Sequence, residues 1–361
     1  MKSDSFHEIR QRSVRKILDS NDLNGILFSS LENIRYLCGF TGSDGALLLT
    51  HRESFFLTDS RYWTQAEEEV KGFQIIHYKK KWDGIVSLLL DSKLKRVGFE
   101  STSLTFSSYR SFLEKLANAA ELIPLEDEIK NLRVVKDAQE LALIRTAIDI
   151  SSNAFLHINE ILREGVLERE IALGMEFFMK RNGAETIGFD IIVASGKRSA
   201  LPHGKATDKK VERGDLILID FGSEYQGYHS DQTRTVVCGK PSSEQKKVYQ
   251  VVREAHGKAI EVIRPGIPIQ KVDAAARDHI REKGYGEYFG HGTGHGVGFA
   301  VHEEPGINME NKGLVQEGMV FTIEPGIYIP DWGGVRIEDM IRVTPHGAEV
   351  LTSLPEELME I

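Results

Sequence analysis

Cysteine is almost missing from this chain: Cys38 and Cys238 are the only two in 361 residues, and they lie far apart in the sequence. That pattern excludes a cysteine-rich structural zinc site and gives no basis for a disulfide framework, so a reducing, cytoplasmic compartment is expected. No stretch approaches the ~20 apolar residues of a membrane-spanning helix. The opening Met-Lys-Ser-Asp-Ser-Phe-His-Glu has no apolar signal-peptide core. Positive charge is in deficit, with 45 Lys and Arg against 54 Asp and Glu and a net charge of -9. Neither nucleic acid nor an anionic membrane is therefore an expected partner. Familiar catalytic signatures are also absent. There is no Gly-x-Ser-x-Gly elbow, the glycine run 290–298 has no Gly-x-Gly-x-x-Gly register, and His302-Glu303 lacks the second histidine of a single-zinc helix motif.

What the chain does contain is a set of carboxylates at strand ends. Asp215-Leu-Ile-Leu-Ile-Asp220 reads as a buried strand ending in an acid, and Asp231-Gln-Thr-Arg-Thr-Val-Val as a second strand beginning with one. The turn material Gln226-Gly-Tyr-His lies between them, so a hairpin would set Asp220 beside Asp231. Glu324 closes Met319-Val-Phe-Thr-Ile, and Glu338 follows Gly333-Gly-Val-Arg-Ile. His295 sits inside Gly290-His-Gly-Thr-Gly-His-Gly-Val-Gly298, where glycines allow close backbone packing. Taken singly, a strand-end aspartate is more often a cap or turn residue, and a lone histidine more often an ordinary polar one. Together, four carboxylates and an imidazole form a hard ligand set whose members could not all stay ionised without cations. Two divalent ions would relieve the repulsion and could activate water against an amide. Manganese suits such oxygen-rich ligands, with Co²⁺, Fe²⁺ or Zn²⁺ as alternatives.

The organisation is α+β in two parts. Over residues 1–129, strand-like runs (25–29, 46–50, 54–58 and 96–99) alternate with helical spacing near 8–20, 82–92 and 107–119, an α/β layer. The boundary falls near Ile129–Lys136, and residues 130–361 form the second domain. Asp137 with Glu140 suggests a capped helix start. Helix pairs are expected over 137–164 with 167–181 and over 243–263 with 268–283, with the acid-bearing strands between and after them. That order is compatible with internal pseudo-symmetry. Cys38 reads as a small core residue, and His157, His229, His256, His279 and His346 as surface or packing residues.

These segments resemble the creatinase/methionine-aminopeptidase superfamily, peptidase family M24, in its Xaa-Pro aminopeptidase and prolidase branch. The resemblance runs through Leu201-Pro-His203-Gly, Asp220-x-Gly, Gly227-Tyr-x-Ser-Asp231-x-Thr-Arg-Thr and His291-x-x-Gly-His295-Gly-x-Gly. It continues in Val301-His302-Glu, Thr322-Ile-Glu324-Pro-Gly and Arg336-Ile-Glu338-Asp. Tyr36-Leu-Cys-Gly-Phe-Thr-Gly-Ser and Leu57-Thr-Asp-Ser-Arg61-Tyr are similar to the creatinase-type N-terminal domain. The resemblance implies a pita-bread catalytic domain behind that N-terminal domain, and a homodimer.

It further implies metal ligands at Asp220, Asp231, His295, Glu324 and Glu338, with Asp231 and Glu338 bridging two ions per subunit. Glu324 would also shuttle the proton, and His203 and His302 would steady the carbonyl oxygen. His291 and Arg336 would line the pocket for the residue after the cleaved bond, although Arg336 is close enough in sequence to hold Glu338 instead. The implied activity is that of an Xaa-Pro aminopeptidase, acting through hydroxide held between the ions on peptides with proline second. The alternatives are an Xaa-Pro dipeptidase restricted to dipeptides, or a non-catalytic binding relative.

Overall fold

A computed structural model describes residues 6–361, and the chain divides into two compact units between Leu132 and Arg133. In the first unit six strands form one sheet: β1 (Gly25–Phe28), β2 (Ala46–Thr50), β3 (Ser54–Thr58), β4 (Gln74–His77), β5 (Arg96–Glu100) and β6 (Glu121–Leu125). Their order is β4-β3-β2-β1-β5-β6, with β2 antiparallel to both neighbours and the outer pairs parallel. Central strands β1, β2 and β3 are buried along their whole length, which is why they read as continuous apolar runs. The helices of this unit are α1 (Phe6–Ser20), α2 (Leu31–Cys38), α3 (Trp63–Glu69), α4 (Lys81–Asp91), α5 (Phe106–Leu116) and α6 (Asp127–Lys130). The short α2 has clear end signals: Ser30 accepts from the Asn33 amide, and Gly39 closes it in the left-handed region at φ 82°. Cys38 is fully buried, and both cysteines are free.

The second unit begins with α7 (Ala138–Ile158), started by a reciprocal capping box. Asp137 Oδ1 accepts from the Glu140 amide at 2.9 Å, and Glu140 Oε2 accepts from the Asp137 amide at 2.9 Å. The helix stops before residue 164, the end expected from the sequence. Ile161 and Leu162 still pack into the same core after the backbone has left the helix, so the apolar spacing outruns it. α8 (Glu168–Arg181) packs on α7. Six strands follow: β7 (Thr186–Ile187), β8 (Ile192–Ser195), β9 (Leu216–Phe221), β10 (Ser223–Tyr225), β11 (Tyr228–His229) and β12 (Gln232–Val237). A second packed pair, α9 (Ser243–Val262) and α10 (Ile269–Glu282), precedes β13 (Gly294–Gly296), β14 (Glu303–Ile307), β15 (Val320–Ile323), β16 (Gly326–Ile329), β17 (Gly333–Arg336), β18 (Asp339–Thr344) and β19 (Gly347–Val350).

Each helix pair has its own core. Phe155, Ile171, Met175 and Met179 of α7 and α8 meet Ile217, Ile219, Phe221 and Val236. Val248, Val252, Val272 and Ile280 of α9 and α10 meet Phe321, Ile323, Val335 and Ile341. This repeated helix-pair and strand-group layout agrees with the α+β, pseudo-symmetric organisation expected from the sequence. Among the described residues no helix is long and apolar enough to cross a membrane.

Candidate active site

Strand alternation aims Asp220. In β9, Ile217, Ile219 and Phe221 point into the α7/α8 core, so Leu218 and Asp220 face the other way. β12 runs antiparallel beside β9 with Thr233 opposite Asp220, which puts Thr233 on the same face, and Asp231, two residues earlier, with it. β10 and β11 form the excursion between these strands, so the two aspartates come together much as a hairpin would bring them. Glu338 arrives from the other half of the unit. It bridges to Thr233 just before β18, and its amide donates to the Thr233 carbonyl at 3.2 Å.

His295 and Glu324 come from β13 and the end of β15. The glycines flanking His295 are required by close approach. A Cβ on Gly294 would overlap the Thr322 carbonyl, and one on Gly296 the Glu304 carbonyl. That contact holds β13 tightly enough for the His295 amide to donate to Thr322 Oγ1 at 3.1 Å. The His295 ring gives its Nδ1 hydrogen to the Gly296 carbonyl at 3.1 Å, leaving the Nε2 lone pair directed at Asp231 (3.5 Å) and Glu324 (3.4 Å). Asp231, His295 and Glu338 each place one donor atom within 4.8 Å of the others.

These groups line a cavity of about 770 Å³, and so do His203, His291, His302 and Arg336; every site residue singled out from the sequence borders it. Charge inside the cavity is unbalanced. Burial, then the charges of Glu338, Asp220 and Glu324, push the Asp231 carboxyl well above the usual carboxylate range. Burial and the neighbouring Glu324 and Asp220 do the same to Glu338, and burial raises Glu324. Burial, aided by His295, pushes His302 down to about 4, and burial also lowers His291 and His295, so all three are neutral near pH 7. Asp220 Oδ1 is buried without a hydrogen-bond partner. Bare oxygen and imidazole donors facing one another, one of them orphaned, suit divalent cations.

The network around them includes residues the sequence motifs did not single out. Arg336 is buried, and four of its five N–H groups are engaged: Nε with Thr233 Oγ1 (3.0 Å), Nη1 with the Pro202 carbonyl (3.2 Å) and Tyr328 OH (2.8 Å), Nη2 with Asp220 Oδ2 (2.6 Å). It therefore braces Asp220, whereas sequence proximity pointed to Glu338. Glu338 is held instead by Thr233 Oγ1 at 2.6 Å. Tyr328, whose hydroxyl burial pushes up to about 12, accepts from Arg336 and donates to His291 Nε2 at 2.9 Å. The His291 ring gives its other nitrogen's hydrogen to the Gly292 carbonyl at 2.7 Å, so it too is locked in one tautomer. Tyr328 had no motif around it to mark it; its signal is only that it lies four residues after Glu324. Phe189, Asp190, Ile192, Lys205 and Asn308 complete the wall.

An α+β unit in which four carboxylates at or beside strand ends and a histidine face one cavity is a candidate metal centre. The chain belongs to metallopeptidase family M24, whose model matches residues 142–345, and residues 10–135 match the creatinase/prolidase N-terminal domain. It is 42% identical to an Xaa-Pro dipeptidase of Pyrococcus horikoshii over 98% of this chain and 100% of that protein. It is similar to the structure of an Xaa-Pro dipeptidase from Bacillus anthracis (TM-score 0.95, 42% identity, 98% of this chain and 100% of the other). It is also similar to that of an X-Pro aminopeptidase from Thermotoga maritima (TM-score 0.90, 40% identity, 97% and 99%). The family uses divalent metal, and its pita-bread fold and creatinase-type N-terminal domain are those expected from the motifs.

Proposed function

We propose that this chain is an Xaa-Pro dipeptidase, cleaving the bond between an N-terminal residue and a C-terminal proline. The aminopeptidase reading favoured by the sequence gives way to its dipeptidase alternative. The observation that carries this is the near-complete match, at 42% identity in sequence and in structure, to proteins described as Xaa-Pro dipeptidases.

Asp220, Asp231, His295, Glu324 and Glu338 would hold two divalent ions, Asp231 and Glu338 shared between them. Bound there, the ions would polarise the scissile carbonyl and make water acidic enough to supply a nucleophile at neutral pH. Glu324, hydrogen-bonded at 3.3 Å by Thr322 Oγ1, would accept the water proton and hand it to the leaving proline nitrogen. His302, neutral and beside His295 with ring centres 4.2 Å apart, would donate to the carbonyl oxygen as negative charge develops, and His203 would assist. Arg336 and Tyr328 are positioning residues that fix Asp220 and His291, and His291 borders the pocket for the leaving residue.

A bond before proline carries no N–H, so selection rests on ring shape and on the free amino terminus. The test compares Ala-Pro, Ala-Pro-Ala and Ala-Ala as substrates of metal-depleted protein reconstituted with Mn²⁺, Co²⁺ or Zn²⁺. Ala-Pro should be cut with the highest kcat/KM and Ala-Ala barely at all. Faster cleavage of Ala-Pro-Ala restores the aminopeptidase reading, and no cleavage with any ion leaves the binding-protein reading.

A further inference from the structure

A dipeptidase must read the carboxylate that ends its substrate, which in a longer peptide is an uncharged amide. We propose that Lys205 is the residue that does so, an inference that rests on the dipeptidase reading above. Two fixed cations line the cavity, Arg336 and Lys205. Arg336 is buried and already donates to Asp220, Thr233, Tyr328 and Pro202, so it has little left to offer an incoming anion. Lys205 differs. Its side chain is 80% exposed and makes one contact, at 2.8 Å, to Asp190 Oδ2, which is 75% exposed. An ammonium has three donors, and a solvated pair of this kind is weak enough to exchange partners.

The register puts Lys205 in line with the proposed metal ligands. Lys205 bridges antiparallel to Ile192, Ile192 lies opposite Asp220, Asp220 opposite Thr233, and Thr233 bridges to Glu338. Directly opposed residues of antiparallel strands share a face, so this single row runs from Glu338 and Asp220 across apolar Ile192 to Lys205. At about 4.8 Å per strand, Lys205 starts roughly 10 Å from Asp220. A two-residue peptide extends about 7 Å at most. With its first residue at the carboxylates, its terminal carboxylate lies over Ile192, within reach of the long Lys205 side chain. The proline ring would rest on apolar wall residues of the cavity, Ile192 with Phe189. Asp190 keeps the ammonium at the wall until a substrate carboxylate replaces it.

The experiment measures kcat/KM for Ala-Pro, Ala-Pro amide and Ala-Pro-Ala with the metal-loaded wild type, Lys205→Gln and Lys205→Glu. The readout is the ratio of Ala-Pro to Ala-Pro amide, which cancels any loss of folded enzyme or metal within a preparation. We expect wild type to favour Ala-Pro. The ratio should fall about tenfold in Lys205→Gln, as for loss of one charge-assisted hydrogen bond, mostly through KM, and further in Lys205→Glu. A wild-type ratio near one, or a ratio that stays within twofold in either variant, overturns the assignment while leaving the dipeptidase reading intact. Wild type that ignores Ala-Pro but cuts Ala-Pro-Ala overturns the dipeptidase reading, and the role of Lys205 falls with it.

Discussion

Glu100 in the first unit and Asp231 in the second are both buried carboxylates, in opposite surroundings. Glu100 is surrounded by donors: the amides of Ser29 and Ser30, Ser30 Oγ at 2.9 Å, Asn33 Nδ2 and Ser103 Oγ at 3.2 Å. Those dipoles replace the water it lost, and the group is complete as it stands. Asp231 faces His295 Nε2 at 3.5 Å and the negative charges of Glu338, Asp220 and Glu324. The one arginine nearby, Arg336, is bonded to Asp220 and offsets that repulsion only in part. A buried acid wrapped in donors ties a loop to a strand, whereas buried acids facing one another are arranged for a cation. The same distinction separates Glu168, held by Ser195, Arg198 and Thr207, from the four acids of the cavity within one unit.

The sharpest way to break that comparison is to remove the charge from Asp231. Asp231→Asn should lower kcat/KM by about 10³ or more, since several kcal/mol of charge stabilisation at ~1.4 kcal/mol per tenfold is at stake. Metal content after reconstitution should fall from two ions toward none. Asp220→Asn should lose less, because Asp220 serves one ion in the proposed arrangement. An Asp231→Asn enzyme that keeps two ions and full turnover would show that the cluster is structural, like Glu100.

Next in size is His302→Ala. Kinetics should show kcat lower by roughly 10²–10³ with KM changed little, as for loss of an oxyanion donor. Metal analysis should still find two ions, whereas His295→Ala should lose metal and activity together. If His302→Ala strips the metal, the two histidine roles are interchanged.

The four proposed carboxylate ligands were legible because each lies at the edge of a strand-like run, and His295 because glycines flank it on both sides. The capping box at Asp137 and Glu140 was legible for the same reason: the signal is local. What escaped was non-local or short. Tyr328 and Thr233 acquire their roles through Arg336 and Glu338, more than a hundred residues from Thr233; Tyr328 lies outside every motif, and the motif that contains Thr233 does not show what it bonds. Lys205 depends on a cross-strand register of five chain segments. The helices α2 and α3 are shorter than the windows in which helical periodicity can be recognised, β4 offers only two apolar residues between polar ones, and β6 carries a proline.

Glu100→Ala should move stability and leave chemistry alone. Deleting the acid strands several buried donors, at about 3 kcal/mol in total. Thermal or denaturant unfolding should detect the loss while metal content and kcat per folded molecule stay at wild-type values. A fall in metal content would mean that the first unit's acid is coupled to the cavity, contrary to its self-contained hydrogen bonding.

The smallest effect has the opposite sign. In metal-depleted protein, Asp231→Asn should stabilise the fold by about 1 kcal/mol, because it removes one charge from a cluster in which burial and three other acids disfavour ionisation. The sign with pH follows from the raised folded-state pKa. Such a group contributes its stability below the ordinary aspartate value of about 4, and loses it as pH rises through the raised one. Metal-depleted wild type should therefore lose stability on going from pH 4 toward neutrality, and Asp231→Asn should flatten that slope. Adding Mn²⁺ should reverse the ranking, stabilising wild type by mass action more than the variant. Unfolding midpoints measured across pH, with and without the ion, test this directly. A variant less stable than wild type without metal would mean that Asp231 is held by the protein itself, and the contrast with Glu100 would collapse.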